Sequence, residues 1–342
     1  MATARRDAEG RVNPVLLDPT DASLPPHVTE TVVTVGTFDG VHRGHLDVLA
    51  RLAARARSTG RTSLLLTFEP HPLDILKPEK APRLLTSRSE KLAAIASSGL
   101  EYVAVLPFTR ALADLSAAEF VDEILRARFR MTELLIGHDH GFGRGRAGDV
   151  DALRSLGAGR GFAVDVVAPV ESADGTPVSS TGIRQAVRSG DLGAAEAGLG
   201  RAYSVLGRVV AGDARGRGIG FPTLNVQPES SRKLLPPDGV YAVRVETSRG
   251  RFGGMMNLGG RPTFDDAQRM IEAHLFDITG DFYGDVVQVA FVARLRETRR
   301  FDGVDALKQQ LALDEEAARR ALTVPAESGK LKGSMHFPPS TP

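Results

Sequence analysis

Thr31-Val-Val-Thr-Val-Gly-Thr-Phe-Asp-Gly-Val-His-Arg-Gly-His45 decides how the first half of this chain folds. Its first five residues predict a short buried strand, and residues 46–55 repeat Leu, Val and Ala at helical spacing. Between strand and helix, Gly40 and Gly44 let backbone come close to a ligand. His42 and His45, three apart, share one face of the helix start. In an open α/β sheet this is the position beyond a strand's carboxyl end where helix N–H groups meet anions. Residues 62–68, 102–106, 133–136 and 162–167 read as further strands, with helices over 89–98 and 117–129. That alternation predicts a parallel sheet covered on both faces.

The grammar changes near Tyr203. Segments of alternating side chains over 204–210, 239–246, 251–257, 270–278 and 285–295 are separated by Gly and Pro turns, which predicts an antiparallel barrel or sandwich. A last helix over 304–322 turns Leu307, Leu311 and Leu322 toward a core. The expected organisation is a loosely held lead-in over 1–29 with Pro14, Pro19, Pro25 and Pro26, a first domain over 30–190, a second over 200–325, and a polar tail over 326–342. The boundary falls within 190–199.

Composition narrows the function classes. At 342 residues, two domains are expected. Lys plus Arg (43) nearly cancels Asp plus Glu (42), so no overall positive field exists to hold a nucleic acid. The absence of Cys excludes disulfides, thiolate metal sites and Cys nucleophiles, and fits a reducing compartment. No apolar run approaches the roughly 20 residues that span a bilayer, and the first ten residues lack the apolar stretch of a secretory signal. A cytoplasmic protein without membrane partners is expected, as a monomer or weak homo-oligomer.

Two stretches carry phosphate chemistry. The imidazoles of His42 and His45 can hydrogen-bond phosphate oxygens and stabilise charge on a transferring phosphoryl centre; a surface turn and a metal site are the other readings of a His pair at this spacing. No Gly-Lys-Ser/Thr follows, so this is no Walker A loop. Ser179-Ser-Thr-Gly-Ile-Arg184 opens a helix where hydroxyls, N–H groups and Arg184 can converge on a phosphate, or where Ser or Thr simply caps the helix. His138 and His140 flank Asp139, a second conceivable metal cluster.

In the second half, Gly212-Asp-Ala-Arg-Gly-Arg-Gly-Ile-Gly220 is a Gly-rich loop followed by a strand, so a dinucleotide reading fails. In Phe221-Pro-Thr-Leu-Asn225 the hydroxyl of Thr223 and the amide of Asn225 lie two apart, on one side of an extended strand, where they can ligate Mg²⁺ and bind a phosphate. Glu272 interrupts an otherwise mostly apolar strand, so its charge is either exposed on a barrel's outer side or employed, as a base taking a proton from an attacking alcohol.

Phe38-Asp-Gly-Val-His-Arg-Gly-His45, Thr67-Phe-Glu-Pro-His-Pro72 and Ser179-Ser-Thr-Gly-Ile-Arg184 resemble the nucleotidyltransferase half of bacterial bifunctional riboflavin kinase/FAD synthetases. The resemblance implies a Rossmann-like domain that transfers adenylyl from ATP to FMN, releasing pyrophosphate without a covalent enzyme intermediate. It implies that His42 and His45 contact ATP phosphates, that Gly36, Phe38, Asp39 and Gly44 belong to the same nucleotide site, and that Ser180, Thr181 and Arg184 steady the triphosphate. Phe68 and Asp139 would face the flavin. This chain departs from the family pattern at His140, where an aromatic is usual, and at Gly182, where a larger residue is common.

The order of the Gly-rich loop, Pro-Thr-x-Asn, Gly239-Val-Tyr-Ala242, Asn257-Leu-Gly-Gly-Arg-Pro-Thr263, Glu272-Ala-His274 and Phe282-Tyr-Gly284 is similar to the riboflavin kinase domain of that family. The similarity implies a six-stranded barrel that uses ATP with Mg²⁺ to phosphorylate the ribityl 5′-hydroxyl. It implies that Gly216, Gly218 and Gly220 hold ATP, that Thr223 and Asn225 bind metal and phosphate, and that Glu272 is the general base. Riboflavin, FMN and ATP are the expected partners. The alternatives are a kinase beside a weak or inactive adenylyltransferase, and a non-catalytic flavin or nucleotide carrier; only the intact enzyme yields FAD.

Overall fold

The computed structural model describes residues 5–6, 12–17, 23–138, 141–144, 148–212, 215–260 and 269–323. Two compact units divide the chain: residues 1–83 with 90–179, and residues 84–89 with 180–342.

The first unit is built on a six-stranded sheet whose strands all run parallel. In chain order these are β1 (Val15–Leu17), β2 (Thr31–Val35), β3 (Thr62–Glu69), β4 (Tyr102–Pro107), β5 (Met131–Gly137) and β6 (Ala163–Val167). In space the order is β1-β4-β3-β2-β5-β6. Winding runs outward from β2 through β3 and β4, then returns to the other side of β2 at β5. The order therefore reverses beside β2, and the carboxyl end of that strand is where such sheets receive ligands.

Successive residues of these strands face opposite layers. Val32, Leu65, Val103 and Leu135 pack against Leu49 and Leu52 of helix α1 (Arg43–Thr59), while Val33, Leu64, Leu66 and Leu134 pack against Phe120 and Leu125 on the other side. All five residues of β2 are buried, as a strand covered on both faces requires. Fully burying a leucine such as Leu49 contributes about 1.5–3 kcal/mol. Two expectations change. The lead-in supplies the edge strand β1, and its Leu17, Leu24 and Val28 join the core. The helix over 117–129 begins as one α turn, Ala117–Glu119, closed by a Ser116–Glu119 capping box, and continues over Phe120–Arg128 with the wider π winding.

The second unit is a closed antiparallel barrel of six strands: β7 (Ser204–Val210), β8 (Leu224–Pro228), β9 (Gly239–Thr247), β10 (Gly250–Gly260), β11 (Arg269–Leu275) and β12 (Val286–Arg296), in the spatial order β8-β11-β10-β9-β12-β7. Pairing of β7 with β8 closes the ring. Alternate residues, among them Val205, Tyr241, Ile271 and Phe291, are buried as the barrel filling. Helices α5 (Ser180–Ser189) and α6 (Leu192–Leu199) pack on each other; α6 occupies the span where sequence reading places only a boundary. The last helix, α7 (Val304–Thr323), lies on the outer face of β9, β10 and β12, with Leu311, Ala318 and Leu322 against Ala242 and Met255. Residues 84–89 join this unit by backbone bonds of Leu84 with Arg232 and Leu234, and Lys233 donates to the Leu85 carbonyl at 2.6 Å.

Candidate active sites

At the carboxyl end of β2 the chain leaves the sheet at Gly36, whose N–H still bonds the Leu66 carbonyl of β3 at 3.0 Å. The loop that follows is tightly wound, with positive φ at Phe38 (48°), Gly40 (87°) and Val41 (40°). A β-branched residue in this region is an outlier that only its surroundings can hold. The loop delivers His42 to the N-cap of α1, where its Nδ1 accepts from the His45 N–H at 3.3 Å. With Nδ1 accepting, a neutral His42 carries its proton on Nε2.

The two imidazoles stack at 3.6 Å with their planes 16° apart, and the Phe38 ring lies 4.7 Å from that of His45. His42 is 6% exposed and Asp39 is also buried. A side chain at Gly44 would press on the His42 ring at 3.3 Å. The predicted residues Gly36, Phe38, Asp39, His42, Gly44 and His45 thus form one compact loop at the helix start. Phe68, near the end of β3, packs edge-on to Phe108 at 5.4 Å and near Phe120 at 6.4 Å. Ser180, Thr181 and Arg184 occupy the first turns of α5, which Ile183 and Val187 anchor. Asp139 and His140 lie outside the described residues, and among the described residues no cluster of three or more His, Cys, Asp or Glu suits a metal ion.

In the second unit the strand register assembles the site. Glu272 on β11 pairs directly with Asn225 on β8 and with Asn257 on β10. Directly paired residues send their side chains to the same face, here the face opposite Ile271 and Ala273 in the barrel filling. A cavity of about 530 Å³ opens on that face, and Glu272, Thr223, Asn225 and Asn257 all line it. Leu307 and Leu311 of α7, with Arg296, Thr298, Arg299 and Phe301, supply further wall. Glu272 is thus on the barrel's outer side, as one reading has it, yet lines a cavity there.

Asn225 is 5% exposed, and its Oδ1 has no hydrogen-bond partner. A buried acceptor left unsatisfied is costly. With the Thr223 hydroxyl it gives an oxygen donor set that fits a hard divalent cation. Two glycines make room. A Cβ on Gly212 would fall 1.9 Å from Asn225 Nδ2, and one on Gly216 would fall 2.2 Å from the Phe221 carbonyl oxygen. Gly216 lies in a short helical turn, Arg215–Gly218, and Gly220 takes φ +89°.

Sequence reasoning missed several wall residues. His274 lines the cavity, and its Nδ1 lies 2.7 Å from the Pro222 carbonyl oxygen, beside Thr223. The period of two that puts Met270 and Glu272 on one face also puts His274 there, so this residue was within reach of the strand pattern. Arg296, the last residue of β12, and Arg299, just beyond it, flank the Phe301 ring at 5.6 and 4.9 Å and carry no local signal.

A doubly wound sheet with a glycine- and histidine-bearing loop at its switch point, joined to a barrel with a carboxylate facing oxygen donors, defines a two-domain ATP-using transferase. Residues 24–182 match the FAD synthetase family and residues 199–322 the riboflavin kinase family. The chain is 41% identical to the bifunctional riboflavin kinase/FMN adenylyltransferase of Pseudomonas fluorescens, over 89% of this chain and 96% of that one. It is 40% identical to the enzyme of the same name from Escherichia coli strain K12, over 86% and 94% of the two chains. A Streptococcus pneumoniae structure titled a macrolide-efflux protein superposes with a TM-score of 0.80 at 32% identity, over 90% of this chain and 99% of that one. Among the described residues no helix is long and apolar enough to cross a membrane. The chain belongs to the bifunctional riboflavin kinase/FMN adenylyltransferase family.

Proposed function

We propose that the two units catalyse successive steps, with riboflavin phosphorylated to FMN on the barrel and FMN adenylylated to FAD on the parallel sheet, one ATP being consumed in each. The observation that carries the kinase reading is the cross-strand row of Asn225, Glu272 and Asn257 on the wall of one cavity. Glu272 takes the proton of the ribityl 5′-hydroxyl as that oxygen bonds to the γ-phosphorus and the bond to the β-phosphate oxygen breaks, giving FMN and ADP. Thr223 and Asn225 would hold Mg²⁺, which supplies neutralisation of phosphate charge. The Gly216, Gly218 and Gly220 loop keeps side chains away from the nucleotide.

On the sheet, an FMN phosphate oxygen attacks the α-phosphorus of ATP and pyrophosphate leaves. His42 and His45 act as donors to the triphosphate at the start of α1, where helix N–H groups also favour negative charge. Gly36, Phe38, Asp39 and Gly44 shape that loop and Phe68 faces the flavin; Ser180, Thr181 and Arg184, at the start of α5, are phosphate-binding residues. ATP-dependent chemistry and the lack of cysteine support a cytoplasmic setting. Incubating the protein with riboflavin, ATP and Mg²⁺ and separating the flavins by chromatography tests the reading: FMN appears first and FAD follows. Absence of either product refutes the corresponding half.

A further inference from the structure

Lys91 projects from helix α2 (Arg88–Ala96) and is 7% exposed. Burying an ammonium is costly unless it is well partnered. Its Nζ donates to the carbonyl oxygens of Thr37 at 3.3 Å and Phe68 at 3.4 Å, and lies 3.8 Å from the Glu69 carboxylate. Glu69 is substantially exposed, so that ion pair contributes little in water and does not account for the burial. The two carbonyls are polar partners that suit a buried ammonium. Thr37 opens the loop of Phe38, Gly40 and Val41, whose positive φ values need support from outside the loop. The same Thr37 oxygen also accepts from the Thr67 hydroxyl at 3.1 Å. Phe68 is the last residue but one of the neighbouring strand β3, at the same carboxyl end of the sheet.

We infer that Lys91 is a positioning residue for adenylyl transfer: its ammonium ties the Thr37 and Phe68 carbonyls together and so fixes the loop carrying His42 and His45 relative to the flavin-facing end of β3. This rests on the assignment of that loop to the triphosphate. The cation also adds positive potential beneath a site that receives a polyanion.

The test is steady-state kinetics of both reactions on the full-length protein carrying Lys91→Met, Lys91→Arg, Thr67→Val, and Lys91→Met with Thr67→Val. Charge-assisted hydrogen bonds are typically worth enough that Lys91→Met should lower kcat/KM for FAD formation from supplied FMN by about tenfold or more. FMN formation from riboflavin should stay near the wild-type rate, and Lys91→Arg should recover part of the loss. Thr67→Val, which removes the other donor to the same oxygen, should lower the same parameter by a smaller factor. The double variant should lose less than the product of the two single losses, because both act on one carbonyl.

Unchanged FAD formation in Lys91→Met overturns the inference, as do independent effects in the double variant. Should Lys91→Met lose both activities through misfolding, a silent Thr67→Val overturns it instead. A wild-type protein that makes no FAD from FMN and ATP signals failure of the site assignment itself, not of the role of Lys91.

Discussion

Asn225 and Glu272 stand directly opposite each other across β8 and β11, with both side chains on the wall of one cavity. A carboxylate and a buried amide oxygen so placed can serve a hydroxyl nucleophile and a cation at adjacent positions. Replacing Glu272 by Gln keeps shape and removes the proton acceptor. FMN formation should fall by about 100-fold or more, while FAD formation from supplied FMN stays at the wild-type rate. Chromatographic assay of both flavins decides; a Gln variant that still makes FMN at the normal rate removes Glu272 from the role of base.

The close approach of Gly212 to Asn225 gives a second handle on that site. A methyl group at Gly212 would sit 2.4 Å from Asn225 Cγ, so the amide must swing away from its position. Displacement of about 1 Å at a reacting centre costs on the order of 100-fold. Gly212→Ala should therefore depress FMN formation by that order and raise the Mg²⁺ concentration needed for half-maximal rate. Magnesium titration of the variant against wild type checks this, and identical Mg²⁺ curves argue against Asn225 as a ligand.

Much of this architecture was legible because local pattern and tertiary environment agree. The unbroken Thr31-Val-Val-Thr-Val35 run belongs to a strand with both faces covered, and the Gly36–His45 segment had to lie at its carboxyl end. Register made the kinase site readable in part: once residues 223 and 225 share one side of a strand, only pairing brings Glu272 to them. What remained hidden depends on contacts distant in sequence. Val15–Leu17 lies among prolines and polar residues and becomes a strand because β4 offers an open edge. Lys91 looks like an ordinary surface residue of an amphipathic helix until Thr37 and Phe68 converge on it.

His42 and His45 separate by role although their rings stack. His45→Ala removes a donor at the nucleotide loop, and FAD formation should fall by roughly 100-fold or more with FMN formation unchanged. His42→Ala also removes the cap of α1, which is worth about 1 kcal/mol. It should therefore lower thermal stability of the first unit as well as FAD formation. Circular dichroism melts beside the flavin assay distinguish the two; equal melting temperatures for both variants would contradict the capping role.

Part of the kinase cavity's wall hangs on one ion pair. Arg296, the last residue of β12, donates from Nε to Asp314 Oδ1 at 2.8 Å and from Nη2 to Oδ2 at 2.6 Å, and Gln310 donates to the same carboxylate at 2.7 Å. Asp314 is 3% exposed. Asp314→Asn leaves a guanidinium without its counter-charge in a poorly hydrated place, a loss of about 3–5 kcal/mol. Replacing both partners, Asp314→Leu with Arg296→Met, removes the stranded charge and should recover most of that stability. Activity should not follow, because Arg296 itself lines the cavity: the double variant should fold yet bind riboflavin with a raised KM. Urea unfolding combined with FMN-formation kinetics reads both quantities. A double variant as unstable as Asp314→Asn would mean that packing of α7, rather than the charge pair, holds the wall in place.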